Sequence, residues 1–158
     1  MEVKLPTKLE PERVTAIIDT REQTPWDLAP LTTQRATLDT GDYSAVGIEH
    51  VARIERKSLP DLIACVGRER DRFDREVQRL LAYPVRLLIV ESTWQEIEAG
   101  QWRGKVSSNQ AIGSLLGWQA SGLAVHLAGD AERAGKHAAR ILYTVAKRRY
   151  LELRDLVG

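Results

Sequence analysis

The sequence is short of cysteine and of long apolar runs, and each shortage excludes a class of protein. Cys65 is the only cysteine among 158 residues, so no disulfide can form within the chain. This favours a reducing, cytoplasm-like environment. No apolar run is long enough to cross a bilayer, and the polar start MEVKLPTKLEPERV does not resemble a secretory signal. We therefore expect a cytoplasmic protein that has no membrane partner.

The sequence also lacks an excess of charge of either sign. The net charge of +1 comes from 23 basic and 22 acidic residues, so net charge neither shows nor excludes nucleic-acid binding. Two basic clusters, RERDRFDR at 68–75 and KRRY at 147–150, are each typical of a solvated helix face when taken alone. With 43% apolar residues, the chain can bury one core of domain size.

The first half of the chain reads as a flexible arm followed by short strands. Residues 1–13 contain two prolines among charges and predict a flexible N-terminal arm, with a single domain over 14–158. Val14–Ile18 is a buried strand that ends at Asp19. Three alternating segments near 35–40, 43–46 and 49–56 predict an antiparallel meander. That meander would carry Asp42 and Glu55 on neighbouring strands.

The second half alternates helices and strands. Ser58 is a candidate N-cap, and a continuous apolar strand over 85–91 indicates a sheet covered on both faces. Short helices should end at Gly100 and begin after Ser107, before a strand over 123–127. Helical spacing predicts that the following side chains face inward: Phe73, Val77, Leu80, Leu81, Ile112, Leu115, Leu116, Ala134, Ala138, Ile141, Leu142 and Val145. The pattern favours one three-layer α/β domain.

Acids at strand ends, together with one lysine, point to metal-dependent chemistry. Asp19, Asp42 and Glu55 each lie at or near a strand end, and strand alternation places Glu55 and Lys57 on one face. Phosphodiester hydrolysis needs a cation that polarises phosphate and activates water. Carboxylates suit Mg²⁺ or Mn²⁺, and a lysine can orient water or stabilise phosphate charge. Most loose matches to such a pattern, however, are surface charges or salt bridges.

A longer motif makes the pattern more specific. Gly41-Asp42 is followed by Glu55-Arg56-Lys57 and, after three residues, by Asp61. The strand end IDTRE at 18–22, Tyr43 and VRLLIVE at 85–91 occur in matching order. Over residues 14–148 the sequence resembles the nuclease domain of the XPF family of structure-specific DNA endonucleases. The resemblance implies a three-layer α/β fold of the restriction-endonuclease-like (PD-(D/E)xK) type, with a central mixed sheet and helices on both faces.

The resemblance also implies roles for particular residues. The implied metal ligands, for Mg²⁺ with Mn²⁺ as a substitute, are Asp19, Asp42, Glu55 and Glu22. Lys57 would act on water or phosphate. Arg56 and Asp61 complete the catalytic signature; Arg56 is expected to face away from Glu55, and Asp61 has the alternative reading of a helix-end charge. The implied contacts to DNA phosphates are Arg21, Arg68 and Arg72, although Arg21 also suits an ion pair and the other two a solvated face.

The implied activity is cleavage of branched or flap-like DNA in repair or recombination, and the protein would be nucleoid-associated if prokaryotic. One alternative is a catalytically silent DNA-binding or dimerisation partner, and another is a non-nuclease domain whose charges form structural pairs. The chain lacks the family's helix–hairpin–helix module after the last helix, so we expect a stand-alone form.

The remaining candidate residues are expected to have structural rather than catalytic roles. The resemblance implies a homodimer through helices at 108–150, where Trp118 and the alanine stripe serve either the dimer or, more simply, the core. Trp94 and Trp102 are expected to cap the core rather than stack on bases, and Cys65 to be a buried thiol. No ligand role is assigned to His50, His126 or His137.

Overall fold

Four strands occupy the first part of the described chain, and helices separate the last two strands from them and from each other. The structure is a computed structural model that describes residues 4–158. Residues 1–3 of the predicted arm lie outside that range. The elements are a 3₁₀ helix at Pro11–Arg13 and then β1 (Thr15–Asp19), β2 (Thr32–Ala36), β3 (Tyr43–Ala45), β4 (Ala52–Ser58), α1 (Leu59–Val66), α2 (Arg70–Leu80), β5 (Val85–Glu91), α3 (Trp94–Ala99), α4 (Ser108–Ala120), β6 (Ala124–Leu127) and α5 (Ala131–Val157).

Six strands form one mixed sheet in the order β2-β1-β3-β4-β5-β6. Strand β3 is antiparallel to β1 and β4, and the other neighbouring pairs are parallel. Consequently the C-terminal ends of five strands and the start of β3 meet at one edge of the sheet. This edge, which we call the catalytic edge, collects Asp19, Asp42 and the Glu55–Lys57 segment.

The predicted three-strand meander is wrong in its first strand. Strand β2 covers 32–36 rather than 35–40, and it pairs in parallel with β1 instead of joining β3. Residues 20–31 connect β1 to β2, which is long enough for the crossover of about a dozen residues that a parallel pair requires. The hairpin of β3 and β4 is correct in kind, with Tyr43 opposite Ile54.

Two apolar layers cover the sheet, as the continuous strand predicted. On one face Ile89 of β5 packs with α5, and on the other Leu88 and Val90 pack with α1, α2 and α4. We call the side of the sheet that α5 covers the α5 face, and the side that α1, α2 and α4 cover the α1 face. The predicted three-layer fold is confirmed.

The helix ends follow the predicted caps. Ser58 accepts a hydrogen bond from the Asp61 backbone N–H, and Ser107 forms a capping box with Gln110. Gly100 ends α3 with φ of 63°. The predicted inward position of Leu116 is wrong: it is 53% exposed, whereas Ala111 and Ser114 turn inward on the same helix. Large Trp118, also inward, rotates the buried face of α4 away from Leu116.

Residues 4–13 lie against the last helix. The hydroxyl of Tyr143 donates to the Leu9 carbonyl at 2.7 Å, and Tyr150 and Arg154 donate to the Pro6 and Thr7 carbonyls. The flexibility of this arm and the single-domain boundary at residue 14 stay predictions. Between residues 4 and 158 the structure contains no helix that is both long and apolar enough to span a membrane.

Candidate active site

Two carboxyl groups meet at the centre of the catalytic edge. The backbone N–H of Asp42 donates to the Ile54 carbonyl at 2.8 Å, which sets the side chain of Asp42 beside Glu55. The two carboxyl groups lie close enough to shift each other's pKa, and the Arg56 N–H donates to Asp42 Oδ2 at 2.7 Å. Gly41 allows this approach, because its φ is 80° and a Cβ there would lie 3.2 Å from the Ile54 oxygen.

Burial and mutual repulsion favour the protonated forms of this pair. Glu55 is 5% exposed. Burial, and then the neighbouring charge of Asp42, raise the pKa of Glu55 well above its ordinary value. Burial also raises the pKa of Asp42. Both shifts share a physical cause, since two negative charges at close range in a low dielectric repel each other and are poorly solvated. A cation placed between the groups would relieve both effects.

Lys57 lies beside the pair on the same face, as alternation predicted. Its Nζ is 3.8 Å from Glu55 Oε1 and 5.3 Å from the centre of the Phe73 ring. Burial lowers the pKa of Lys57, but the charges of Glu55 and Asp42 outweigh it and leave the pKa above its ordinary value. The side chain therefore presents a positive charge next to the carboxyl pair.

Arg56 points to the opposite face, as expected, and joins two acids there. Its guanidinium donates to Glu91 Oε1 at 2.7 Å and to Glu22 Oε2 at 3.0 Å, and it lies 5.0 Å from the Trp26 ring centre. The Tyr43 hydroxyl also donates to Glu22 Oε2, at 2.7 Å. Glu22 is thus engaged by Arg56 and Tyr43 on the α5 face, although its charge still reaches Asp42 and helps to raise the pKa of that carboxyl. As a metal ligand Glu22 stays a prediction.

Asp19 shares the face of Glu55 but its carboxylate already has partners. Oδ1 accepts the Leu38 backbone N–H at 2.9 Å, and Oδ2 accepts Arg21 Nε at 2.6 Å. Burial raises the pKa of Asp19, but the hydrogen bonds from Arg21 and Leu38 outweigh it and hold the pKa below its usual value. The ion-pair alternative for Arg21 therefore describes its position in the structure.

Residues 18–141 match the model of the ERCC4 domain, which covers most of the chain and all the motif residues. The chain belongs to the ERCC4 domain family. The predicted resemblance to the XPF nuclease domain is therefore confirmed. A search of curated proteins finds no match.

A solved structure supports the fold of this ERCC4 domain. The present chain is similar to the solved structure of XPF from Aeropyrum pernix, with a TM-score of 0.66 and 18% sequence identity. The match covers 84% of this chain and 61% of the archaeal chain, so the present chain spans about three fifths of that relative. At this identity the likeness establishes the fold, and the restriction-endonuclease-like architecture is confirmed.

The other predicted site residues of the ERCC4 domain lie further out. Asp61 is exposed on the first turn of α1, and Arg68 is exposed beyond the C-terminal end of that helix. Arg72 is exposed on α2 and pairs with Glu69 at 3.3 Å. None of the three contacts the Asp42–Glu55 pair by hydrogen bond or ion pair in the described chain. Their catalytic and DNA-binding roles stay predictions.

Sequence reasoning missed two groupings. Glu76 of α2 is half-buried, and its charge raises the pKa of Glu55, which puts it close to the centre. Its place between Phe73 and Val77, both of which face inward, was the available signal. His126 of β6 and His137 of α5 also meet, with Nε2 and Nδ1 2.7 Å apart. No sequence spacing signals that pair, because it joins two elements across a layer.

The donor set of the ERCC4 domain fits a divalent cation. Among residues 4–158, no three His, Cys, Asp or Glu side chains converge on one point. Mg²⁺, however, needs only one or two carboxylates, since waters and substrate phosphates fill its other positions. Half-buried Asp42 and buried Glu55 supply that number, and their mutual repulsion is the condition that a cation relieves. The chemistry of the pair therefore fits the implied metal.

Proposed function

We propose that this ERCC4 domain is a divalent-metal-dependent DNA endonuclease that acts on branched or flap-like DNA in repair or recombination. The observation that carries the proposal is the buried Asp42–Glu55 pair with Lys57 beside it, at the catalytic edge of a family nuclease fold. Mg²⁺, with Mn²⁺ as substitute, is the proposed cofactor.

The chain's own residues have defined tasks in this proposal. Asp42 and Glu55 would hold the ion, and Asp19 would join them only after release from Arg21. The bound ion supplies Lewis acidity to phosphate and lowers the pKa of water. The Lys57 ammonium is held by Glu55 and the Phe73 ring, and it donates to the attacking water or to a phosphate oxygen. Arg56 holds β4, the strand that carries Glu55 and Lys57, in place through its ion pairs with Glu22 and Glu91.

The geometry does not favour the alternative of a silent partner. A silent relative would lack the acids or the lysine, whereas here Asp42, Glu55 and Lys57 are adjacent and buried or half-buried. Nor does the alternative of purely structural pairs account for the Asp42–Glu55 contact. A half-buried and a buried carboxyl whose pKa values are both raised are typical of a functional site rather than of a structural ion pair.

Cleavage assays on defined DNA test the proposal. We expect the purified chain to cut flap or splayed-arm DNA with Mg²⁺ or Mn²⁺, to cut plain duplex less, and to cut nothing in EDTA. Asp42→Asn should reduce the rate more than about 100-fold, because changes even outside the ligand shell of metal sites cost about 10–100-fold. The measurement is the rate of product formation on labelled substrates.

Asp71→Asn is the matched control, since it removes an exposed carboxylate from α2. It should cut at the wild-type rate. Cleavage that survives both EDTA and Asp42→Asn would contradict the mechanism. Binding of branched DNA without any cleavage would support the silent partner instead.

We also propose a homodimer through α4 and α5. The predicted use of Trp118 and the alanine stripe for this purpose is excluded, because Trp118 is 4% exposed and Ala134 and Ala138 are fully buried. Their alternative assignment to the core is confirmed. The exposed large apolar side chains of these helices are instead Leu116 of α4, at 53%, and Leu153, Leu156 and Val157 of α5, at 54%, 83% and 65%. These side chains support an interface on the C-terminal helices.

Light scattering across a concentration series tests the dimer. We expect twice the chain mass for the wild type and a shift toward monomer for Leu116→Ser with Leu153→Ser. Leu5→Ser, which removes an exposed leucine outside α4 and α5, is the control. A monomeric wild type at all concentrations would refute the dimer without bearing on the metal centre.

A further inference from the structure

A groove of about 740 Å³ lies between α1 and the loop over residues 101–106. Gly67, just past the end of α1, brings the two walls together, because a Cβ there would lie 2.9 Å from Val106 Cγ2. The Trp102 indole N–H donates to the Val106 carbonyl at 2.8 Å, which fixes the loop. This feature, the α1 groove, is therefore a formed part of the fold.

The α1 groove combines a basic rim with an apolar floor. Arg68, Arg103 and Lys105 line it, and no acidic side chain does so within residues 4–158. Arg103 and Lys105 are exposed, and neither forms an ion pair in the described chain. The floor consists of apolar side chains from both walls: Leu59, Pro60, Ile63, Trp102 and Val106. This pairing of cationic and apolar surface suits a ligand with both phosphates and flat ring faces.

The groove begins next to the catalytic centre. Leu59 and Pro60 follow Lys57 by two and three positions, so the first turn of α1 belongs both to the groove and to the catalytic edge. From there the groove follows α1 toward Gly67 and Arg68. A helix of eight residues rises about 12 Å, so the groove is long enough for a short segment of one strand.

We propose that the α1 groove binds a single-stranded DNA segment that leaves the cleavage centre. Single strands expose base faces that stack on apolar and aromatic surface, while basic side chains follow the backbone. A duplex hides those faces, and a groove of this volume holds a ligand of a few nucleotides. The inference rests on the proposed nuclease function and adds to it a reason for preferring branched DNA, which has a single-stranded arm, over plain duplex.

Binding in EDTA tests the groove separately from catalysis. Fluorescence anisotropy would measure the affinity of the full chain for a labelled single-stranded oligothymidine and for a duplex, between about 50 and 200 mM salt. We expect Arg103→Ala with Lys105→Ala to weaken single-strand binding about tenfold at the low-salt end. The slope of log K against log salt should fall by about 1.4, at about 0.7 for each lost phosphate contact. Duplex binding should change by less than about twofold.

Lys8→Ala with Arg13→Ala is the matched control. It removes the same charge from the segment before β1, at the end of the sheet opposite Asp19. The control should bind single strands like the wild type, and both double variants should keep the wild-type Tm because the altered side chains are exposed.

Three results would overturn the groove: an unchanged affinity in the groove variant, an equal loss in the control, or an equal loss for duplex. Different results would reject the groove and the nuclease function. A chain that passes the binding test but never cuts DNA keeps the groove and loses the nuclease function. A chain that cuts with Mg²⁺ but binds single strands independently of Arg103 and Lys105 keeps the nuclease function and loses the groove.

Discussion

Glu55→Gln is expected to abolish cleavage and, at neutral pH without metal, to make the protein more stable. Cleavage should fall more than about 100-fold, since the change removes one of two proposed ligands. The free energy of unfolding should rise by about 1 kcal/mol or more, because a neutral amide replaces a buried acid that is costly to ionise. For a domain of this size that is about 2–4 °C or more in Tm.

The sign follows from the direction of the pKa shift. Burial and the Asp42 charge raise the pKa of Glu55 in the folded protein. A raised folded-state pKa contributes stability that is complete below the unfolded value of about 4.3 and is lost as pH rises through the folded value. The wild type should therefore lose stability relative to the variant as pH climbs from about 4 toward neutral, and thermal unfolding across that range measures the difference.

Adding metal distinguishes the loss of a metal ligand from a general effect of removing a charge. Mg²⁺ should raise the wild-type Tm at neutral pH, since a ligand that binds only the folded state stabilises it, and it should leave Glu55→Gln unchanged. Glu98→Gln, which alters an exposed acid on α3, should behave like the wild type throughout. A Glu55→Gln protein less stable than the wild type, or equally stabilised by Mg²⁺, would place the ion elsewhere.

Arg56→Ala is expected to have the largest effect on stability. It leaves Glu22 and Glu91 without their shared partner in surroundings where their side chains are only 18% and 11% exposed. Removing one member of a buried ion pair costs about 3–5 kcal/mol, because the remaining charge is poorly solvated. That corresponds to a fall in Tm of about 10 °C, measured by thermal denaturation.

Two comparisons identify the cause of that loss. Adding Glu22→Gln and Glu91→Gln to Arg56→Ala should restore much of the stability, because no unpaired charge then remains. Arg72→Ala, which breaks an exposed pair with Glu69, should cost less than about 1 kcal/mol. If the folded Arg56→Ala protein, assayed well below its Tm, still cuts near the wild-type rate, Arg56 positions the strand. A lasting loss of cleavage there would give Arg56 the catalytic part that the motif implied.

Sequence predicted the parts of the site that depend on local periodicity. Alternation along β4 was enough to put Glu55 and Lys57 on one face and Arg56 on the other. Local capping chemistry likewise placed the start of α1 at Ser58, directly after the catalytic strand. Such features depend on neighbours within a few positions, so one sequence contains the information.

The features that sequence missed depend on distant pairing. The side chain of Asp19 is held by the Leu38 amide, nineteen positions away, and this contact exists only because β2 pairs with β1 in parallel. The register of a polar, exposed strand such as β2 is weakly specified by its own pattern. The His126–His137 contact and the approach of Glu76 have the same origin, since each joins elements that meet only after the layers pack.

Cys65 gives the centre an internal reporter. The chain's only thiol, that of Cys65, lies in α1 beneath the catalytic strand, and Cys65 is 2% exposed. It is close enough to Lys57 to affect the pKa of that side chain. Burial raises the pKa of Cys65 to about 11, so little thiolate exists at neutral pH. A thiol reagent therefore meets this sulfur only when α1 separates from the sheet. The rate of labelling measures how often the floor of the centre opens, without any probe being added to the chain.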